Sequence, residues 1–172
     1  SGAMAAHSPV IREVVSHSKK GALVLGICNG FQILTESGLL PGVLLRNASL
    51  KFICRNVHLR VESINNPFTK GYTKKQTVKI PIAHGDGNYF INKNGIKEIE
   101  DNEQIAFRYC NAEGEINTES NPNGSLMNIA GILNRNKNVL GMMPHPERVS
   151  DKFTGGSDGE ILFQGIVEGL SK

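Results

Sequence analysis

The fold is decided by one stretch, Ala22-Leu23-Val24-Leu25-Gly26-Ile27-Cys28-Asn29-Gly30-Phe31-Gln32. Its first half is a short apolar run ending at a glycine, which is typical of a strand buried on both faces of a parallel sheet. Its second half begins an apolar pattern at helical spacing that continues to Gly38. A strand, a tight turn and a helix in this order predict an α/β fold.

Further elements are predicted on both sides of this stretch. A helix is expected to start at Ser8-Pro9, because serine is a good N-cap and proline fits the first helical turn. Apolar and β-branched runs predict strands within 44–61 and at 78–83, 105–110, 129–133 and 139–143. The last two are expected to pair as a hairpin, and a final helix is predicted over 158–170.

Length and composition indicate one ordinary globular domain. The chain has 172 residues, of which 39% are hydrophobic and 20% charged, and its formal net charge is +3. No basic stripe indicates a nucleic-acid binder, and no apolar run reaches the roughly 20 residues of a membrane span. Three widely spaced cysteines predict neither a disulfide scaffold nor a zinc site, which favours the reducing cytoplasm.

Cys28 is the candidate nucleophile, because it lies where the predicted strand turns into the helix. At such an elbow a side chain is lifted out of the sheet, as in the Gly-x-Ser-x-Gly turn of serine hydrolases. The N–H groups at the helix start favour a thiolate and can stabilise an oxyanion. The alternative is that Cys28 is only a small buried apolar residue. Cys54 and Cys110 lack flanking glycines and are predicted to be packing residues.

His145 is the candidate general base, in Met143-Pro144-His145-Pro146-Glu147. The two prolines fix the backbone around it, and orientation is much of what a base contributes. Glu147 follows closely enough to orient the imidazole, which is the third role in a triad. The alternative is a turn whose histidine only caps backbone groups. His84, in a glycine-rich loop after a predicted strand, is the competitor and a candidate for the substrate pocket. The remaining histidines are expected to face solvent or pack: His7, His17 and His58.

These segments together resemble the class I (triad) glutamine amidotransferases. Within that class the chain is similar to the glutaminase subunits of phosphoribosylformylglycinamidine synthase (PurQ). The likeness is carried by the elbow and by four further segments: Pro81-Ile82-Ala83-His84-Gly85-Asp86-Gly87, Arg108-Tyr109-Cys110, Asn121-Pro122-Asn123-Gly124-Ser125 and Gly141-Met142-Met143-Pro144-His145-Pro146-Glu147-Arg148.

The resemblance implies a three-layer flavodoxin-like α/β fold and a mechanism. Cys28 would attack the side-chain amide of L-glutamine and form a thioester, with His145 moving protons and Glu147 holding His145. The Asn29 N–H would be an oxyanion donor, and Gln32 would grip the substrate. Gly26 and His84 are also assigned to substrate binding.

The resemblance also implies partners. The ammonia would pass to a large synthetase subunit that uses ATP and Mg²⁺ to make formylglycinamidine ribonucleotide in purine biosynthesis, with a small third subunit bridging the two. No cofactor is expected in this chain. Residues 1–172 are expected to be one glutaminase domain that lacks the family's N-terminal strand, helix and second oxyanion donor. Two alternatives remain open: a free-standing cysteine hydrolase of γ-glutamyl substrates and a catalytically incomplete scaffold subunit.

Overall fold

The structure is a computed structural model that describes residues 8–170. The expectations for the N-terminal stretch, including His7, concern residues outside this range. The first helix is confirmed: α1, Pro9–Lys19, begins after Ser8, whose hydroxyl accepts a hydrogen bond from the Ile11 N–H at 3.4 Å.

The described residues form a six-stranded mixed sheet, a separate two-stranded sheet and four α-helices. The strands are β1 Val24–Ile27, β2 Val43–Leu45, β3 Ile53–Val61, β4 Thr77–His84, β5 Asn88–Phe90, β6 Ile105–Cys110, β7 Ile129–Leu133 and β8 Val139–Met142. The helices after α1 are α2 Asn29–Glu36, α3 Lys93–Asp101 and α4 Glu160–Leu170. The large sheet has the order β1-β8-β7-β6-β3-β4, and β2 pairs with β5. Short 3₁₀ turns cover Leu126–Asn128, Pro146–Val149 and Lys152–Thr154.

In the part of the large sheet that the structure describes, only one pair of neighbouring strands is parallel. β1 runs parallel to β8, whereas the other neighbours are antiparallel, including the predicted β7–β8 hairpin. Within residues 8–170, β1 is an edge strand, and its side chains at Val24, Leu25 and Ile27 are only partly buried. The prediction that it is buried on both faces of a parallel sheet is therefore wrong for the described residues. An apolar run reports a preference for burial, but it does not specify which strands lie beside it.

Apolar side chains fill both faces of the large sheet. On one face, α4 packs through Leu162 on a cluster that includes Leu59, Ile80 and Leu140. On the other face, α2 and α3 pack on a second cluster, whose members include Phe31, Leu34, Ile99, Ile132 and Val139. Helices on both faces of a central sheet make three layers, so the predicted three-layer α/β fold is confirmed.

Two elements, and the burial of one cysteine, differ from the expectations. β5 and α3 were not predicted. Cys54 is exposed, so its prediction as a packing residue is wrong, whereas Cys110 is buried as expected. Along a strand successive side chains point to opposite faces, and an apolar run does not show which of its members faces solvent.

The start of α2 lies very close to β1 at Gly26. A Cβ at Gly26 would strike the Leu34 side chain and lie 2.8 Å from the carbonyl carbon and oxygen of Gly30. Gly30 differs, since a Cβ there would meet no atom within 4 Å. Of the two glycines of the elbow, only Gly26 therefore has a steric reason to lack a side chain.

We predict that Gly26→Ala lowers the free energy of unfolding by roughly 1–3 kcal/mol, because the added methyl must displace backbone as well as Leu34. Gly30→Ala is the matched control and should be neutral or stabilising by up to about 1 kcal/mol, because alanine favours a helix over glycine. Chemical denaturation of both variants measures the difference. Equal stabilities would show that the close approach at Gly26 is not a packing constraint.

Candidate active site

The backbone of Cys28 has an uncommon conformation. Its φ is 53° and its ψ is −107°, a combination that costs a non-glycine residue on the order of 1–3 kcal/mol. Two hydrogen bonds hold it there: the Cys28 N–H donates to the Met142 carbonyl at 2.9 Å, and the Gln32 N–H donates to the Cys28 carbonyl at 3.2 Å. Cys28 thus continues the β1–β8 ladder and caps α2 at the same time.

The Cys28 thiol lies against the end of β4. Its Sγ donates to the Ala83 carbonyl at 3.8 Å, and the residue is partly buried. Burial raises the pKa of the thiol above its ordinary value; the Asn29 N–H and the charge of Arg148 act in the opposite direction, but less strongly. The sequence led us to expect that the helix start favours the thiolate. In the free protein desolvation outweighs that effect, and the thiol form is favoured.

His145 is held from two sides. Its backbone N–H donates to the Pro81 carbonyl at 2.8 Å, and its ring Nδ1 lies 2.6 Å from Glu147 Oε1. Because a carboxylate oxygen accepts hydrogen bonds, Nδ1 carries the proton in the neutral imidazole, and Nε2 then has the lone pair. Nε2 is buried and has no hydrogen-bond partner among residues 8–170. This arrangement leaves the nitrogen available to take a proton.

Cys28 and His145, the candidate nucleophile and base, lie at the same edge of the sheet without a hydrogen bond between them. β1 and β8 are parallel, so the residues that follow them, Cys28 and His145, leave at the same end. The thiol donates to Ala83 instead of to His145 Nε2. Catalytic hydrogen bonds are often formed only when substrate is bound, so this contact does not argue against a triad.

His84 is the second buried histidine near the thiol. It follows Ala83 directly at the end of β4, and only 3% of its surface is exposed. Its Nδ1 lies 3.0 Å from Asn47 Oδ1, and its Nε2 is buried without a partner among the described residues. The pKa of His84 is lowered to about 4, chiefly by burial and less by the nearby His145, whereas Asp86 acts in the opposite direction and more weakly. His84 is therefore neutral near pH 7.

The other predicted site residues lie around the elbow. Gly26 is buried under α2, and Asn29 is exposed at the helix start with its N–H against Cys28. Gln32 is partly buried one helical turn beyond Cys28, on the same face of α2. His17 is exposed on α1 and His58 is half-buried on β3.

Two buried asparagines near His84 were not predicted as site residues. Asn47 binds both His84 and the Gly87 N–H. Asn123 donates from Nδ2 to the Gly87 carbonyl at 2.8 Å and to the Tyr109 hydroxyl at 3.3 Å. The turn chemistry at 121–125 was visible in the sequence, but nothing local connects it with His84.

Neither a cluster of metal-binding side chains nor a membrane-spanning helix is found in the part of the chain that the structure describes. Residues 8–170 contain no group of three or more His, Cys, Asp or Glu side chains placed to hold a metal ion. No helix among them is both long and apolar enough to cross a bilayer.

Comparisons with known proteins agree on one family. The model of the CobB/CobQ-like glutamine amidotransferase domain matches residues 1–157. The phosphoribosylformylglycinamidine synthase subunit PurQ of Acaryochloris marina is 54% identical over 169 residues, which are 98% of this chain and 72% of that protein. The protein of the same name from Trichormus variabilis is 58% identical over 167 residues, 97% of this chain and 71% of that one.

A solved structure agrees with these relatives. A chain in the structure of PurLQS from Thermotoga maritima superposes with a TM-score of 0.84 at 42% identity, over 98% of this chain and 72% of that chain. The chain thus spans about 72% of the length of the proteins it matches.

The low pKa of His84 predicts that acid destabilises the fold. Between about pH 6.5 and pH 4 the unfolded chain binds a proton that the folded His84 does not, so stability falls as pH falls, by at most about 3 kcal/mol. In His84→Gln this part of the pH dependence should vanish, as measured by denaturation at several pH values. His17→Gln, at an exposed histidine, is the control and should retain the wild-type slope.

Proposed function

Since the chain belongs to the CobB/CobQ-like glutamine amidotransferase family, we propose that Cys28, His145 and Glu147 form its catalytic triad. The chain's activity is hydrolysis of glutamine, which supplies ammonia to the phosphoribosylformylglycinamidine synthase step of purine biosynthesis. One observation carries the residue assignment: the strained Cys28 lies at the same sheet edge as a histidine whose Nδ1 is bound by Glu147 at 2.6 Å and whose Nε2 is unpartnered.

The proposed reaction starts from a neutral pair. The Cys28 thiol leaves the Ala83 carbonyl, gives its proton to His145 Nε2 and attacks the amide carbon of glutamine. The negative charge that develops on the amide oxygen is stabilised by the Asn29 N–H. His145 then protonates the amide nitrogen, ammonia leaves and a thioester to Cys28 remains. A water molecule, deprotonated by His145, hydrolyses the thioester and releases glutamate and the thiol.

Glu147 keeps the base in its working form. Its carboxylate fixes the Nδ1–H tautomer and stabilises the imidazolium that forms when Nε2 takes the proton. The Glu147 side chain is 43% exposed and also lies 3.7 Å from Arg148 Nε. Gly26, Gln32 and His84 are proposed to line the substrate site around this pair.

The chain works as one subunit of a synthase complex with a synthetase subunit. We further propose that a small subunit bridges the two, that ATP and Mg²⁺ bind to the synthetase subunit, and that the complex is cytoplasmic. Residues 1–172 are proposed to form a single glutaminase domain. No nucleic-acid or membrane partner is proposed, because the net charge of +3 is too small to favour binding to such a charged surface.

We predict that Cys28→Ala abolishes glutamine-dependent synthesis by the reconstituted complex, while synthesis from added ammonium persists, because only the thiol attacks the amide. Both activities are measured on the same preparation. Cys54→Ala, at an exposed free cysteine, is the matched control and should retain both. Equal loss of the two activities in Cys28→Ala would contradict the assignment. Turnover of γ-glutamyl peptides without the synthetase subunit would favour a free-standing hydrolase.

We predict that Glu147→Gln lowers kcat for glutamine hydrolysis on the order of tenfold or more, because the imidazolium loses a stabilising charge. Labelling of Cys28 by an electrophilic glutamine analogue should slow in parallel, since both reactions need the thiol proton removed. Glu160→Gln, at an exposed position of α4, should change neither rate. Unchanged kcat in Glu147→Gln would mean that His145 acts without this carboxylate, and failure to label the wild type would favour the scaffold alternative.

A further inference from the structure

We propose that Asn47 is a positioning residue of the active site, which fixes His84 as the Nδ1–H tautomer and so makes its Nε2 a hydrogen-bond acceptor for an N–H group of the substrate. The proposal rests on the function proposed above. It goes beyond that function by adding a residue from the loop between β2 and β3, which the triad does not use.

The orientation of the Asn47 amide is determined by its backbone partners. Its Nδ2 lies 2.8 Å from the Lys51 carbonyl and 2.9 Å from the His84 carbonyl, and carbonyl oxygens only accept. The NH₂ group must therefore be on that side. Oδ1 then faces the Gly87 N–H at 3.1 Å and His84 Nδ1 at 3.0 Å. Asn47 is fully buried, so all four contacts are made without competition from bulk solvent.

The tautomer of His84 follows from this orientation. Because Asn47 Oδ1 is an acceptor, His84 Nδ1 must donate and carry the ring proton. Nε2 then has the lone pair, and this atom is buried without a partner among residues 8–170. The charged or titratable groups that act on His84 are His145 and Asp86, and Asp86 is itself paired with Arg46 at 3.6 Å. The ring is neutral near pH 7, so Nε2 stays an acceptor.

The loop after His84 is held from the opposite side. A Cβ at Gly87 would strike the imidazole of His84, so the loop packs directly on the ring. The Gly87 carbonyl accepts from Asn123 Nδ2 at 2.8 Å, and the Gly87 N–H binds Asn47. The Asn47 N–H in turn donates to the Gly85 carbonyl at 2.8 Å. Two buried asparagines therefore clamp residues 85–87 against His84.

The position of His84 beside the reacting groups allows its Nε2 to act as a hydrogen-bond acceptor for the substrate. The carbonyl of the preceding residue, Ala83, accepts a hydrogen bond from the Cys28 thiol, and the Pro81 carbonyl on the same strand accepts one from the backbone N–H of His145. A neutral acceptor at this strand end can bind an N–H of the substrate, and glutamine offers its ammonium and amide groups. A histidine in the other tautomer, or a protonated one, would present a donor instead and would repel that group.

The decisive variant is Asn47→Asp in the full chain assembled with its synthase partners. The carboxylate still accepts from His84 and Gly87, but it adds a negative charge that favours protonation of His84 and turns Nε2 into a donor. We expect KM for glutamine to rise by about tenfold or more, because one hydrogen bond to a charged or polar group of the substrate is lost. The change in kcat should be smaller. The rise should be largest at low pH and diminish as pH increases.

Asn66→Asp is the matched control. Asn66 is also buried, accepts from two backbone N–H groups through Oδ1 and donates from Nδ2 to the Ser63 carbonyl and the Thr69 hydroxyl. It lies in the loop after β3 and contacts no triad residue through these bonds. Its variant should lose stability as Asn47→Asp does, but it should keep the wild-type KM and pH profile. Equal KM values in the two variants would overturn the proposal.

A direct readout does not depend on either variant folding. Nitrogen NMR of histidine-labelled wild-type protein, with His84 assigned by its loss in His84→Gln, should show a neutral ring protonated at Nδ1 at pH 7. Protonation at Nε2 instead would overturn the proposal. This result is independent of glutaminase activity, so it distinguishes failure of the inference from failure of the proposed triad, which Cys28→Ala tests.

Discussion

The parallel pairing of β1 with β8 is the constraint on which the site depends. Four residue pairs, from Val24↔Val139 to Ile27↔Met142, fix the register. The Cys28 N–H extends the ladder by donating to the Met142 carbonyl at 2.9 Å. Because the strands are parallel, a shift of one residue would move the thiol relative to His145 by more than 3 Å along the strand axis, about the rise of one strand residue. Catalytic geometry would not survive such a shift.

Packing keeps this register in spite of the strain at Cys28. The left-handed backbone costs on the order of 1–3 kcal/mol. Burial of apolar side chains offsets this cost. α2 buries Phe31 completely and Leu34 almost completely. Each such side chain stabilises the fold by roughly 1.5–3 kcal/mol when it is removed from water. The close approach at Gly26, and a similar one where Phe31 and Leu40 cover Gly141, allow that burial. The elbow therefore stays bent because straightening it would expose the apolar face of α2.

The elbow and the histidine turn were predictable because their signals are local. Glycines two residues either side of Cys28, and prolines either side of His145, restrict the backbone wherever the chain places them. The strands that neighbour β1 were not predictable, since an apolar run does not indicate which strand will pair with it. α3 was missed for a related reason: it is short and mostly charged, contains Gly95, and buries only Ile99 fully. Its start is fixed by the Asn92 side chain, which accepts from the Gly95 N–H at 2.8 Å.

Asn47 shows the limit of sequence reasoning more sharply. Its amide joins groups from Lys51, His84 and Gly87, and no spacing in the sequence predicts that these will meet. An asparagine in a loop is most often a turn residue, which satisfies only its own neighbours. Its fourfold bonding becomes visible only when β4 is placed beside β3, because that pairing brings Ile53 opposite His84.

The free site contains two buried acceptors that no described residue satisfies, Nε2 of His84 and Nε2 of His145. A buried polar atom that lacks a partner costs about 1–3 kcal/mol. In the proposed mechanism glutamine brings N–H groups to the site and the thiol leaves the Ala83 carbonyl, so each of the two nitrogens gains a donor. A substrate without such donors would leave the cost in place. On that proposal the unsatisfied acceptors of the resting site favour a substrate that carries N–H groups, and the raised pKa of the Cys28 thiol keeps it protonated in the free protein.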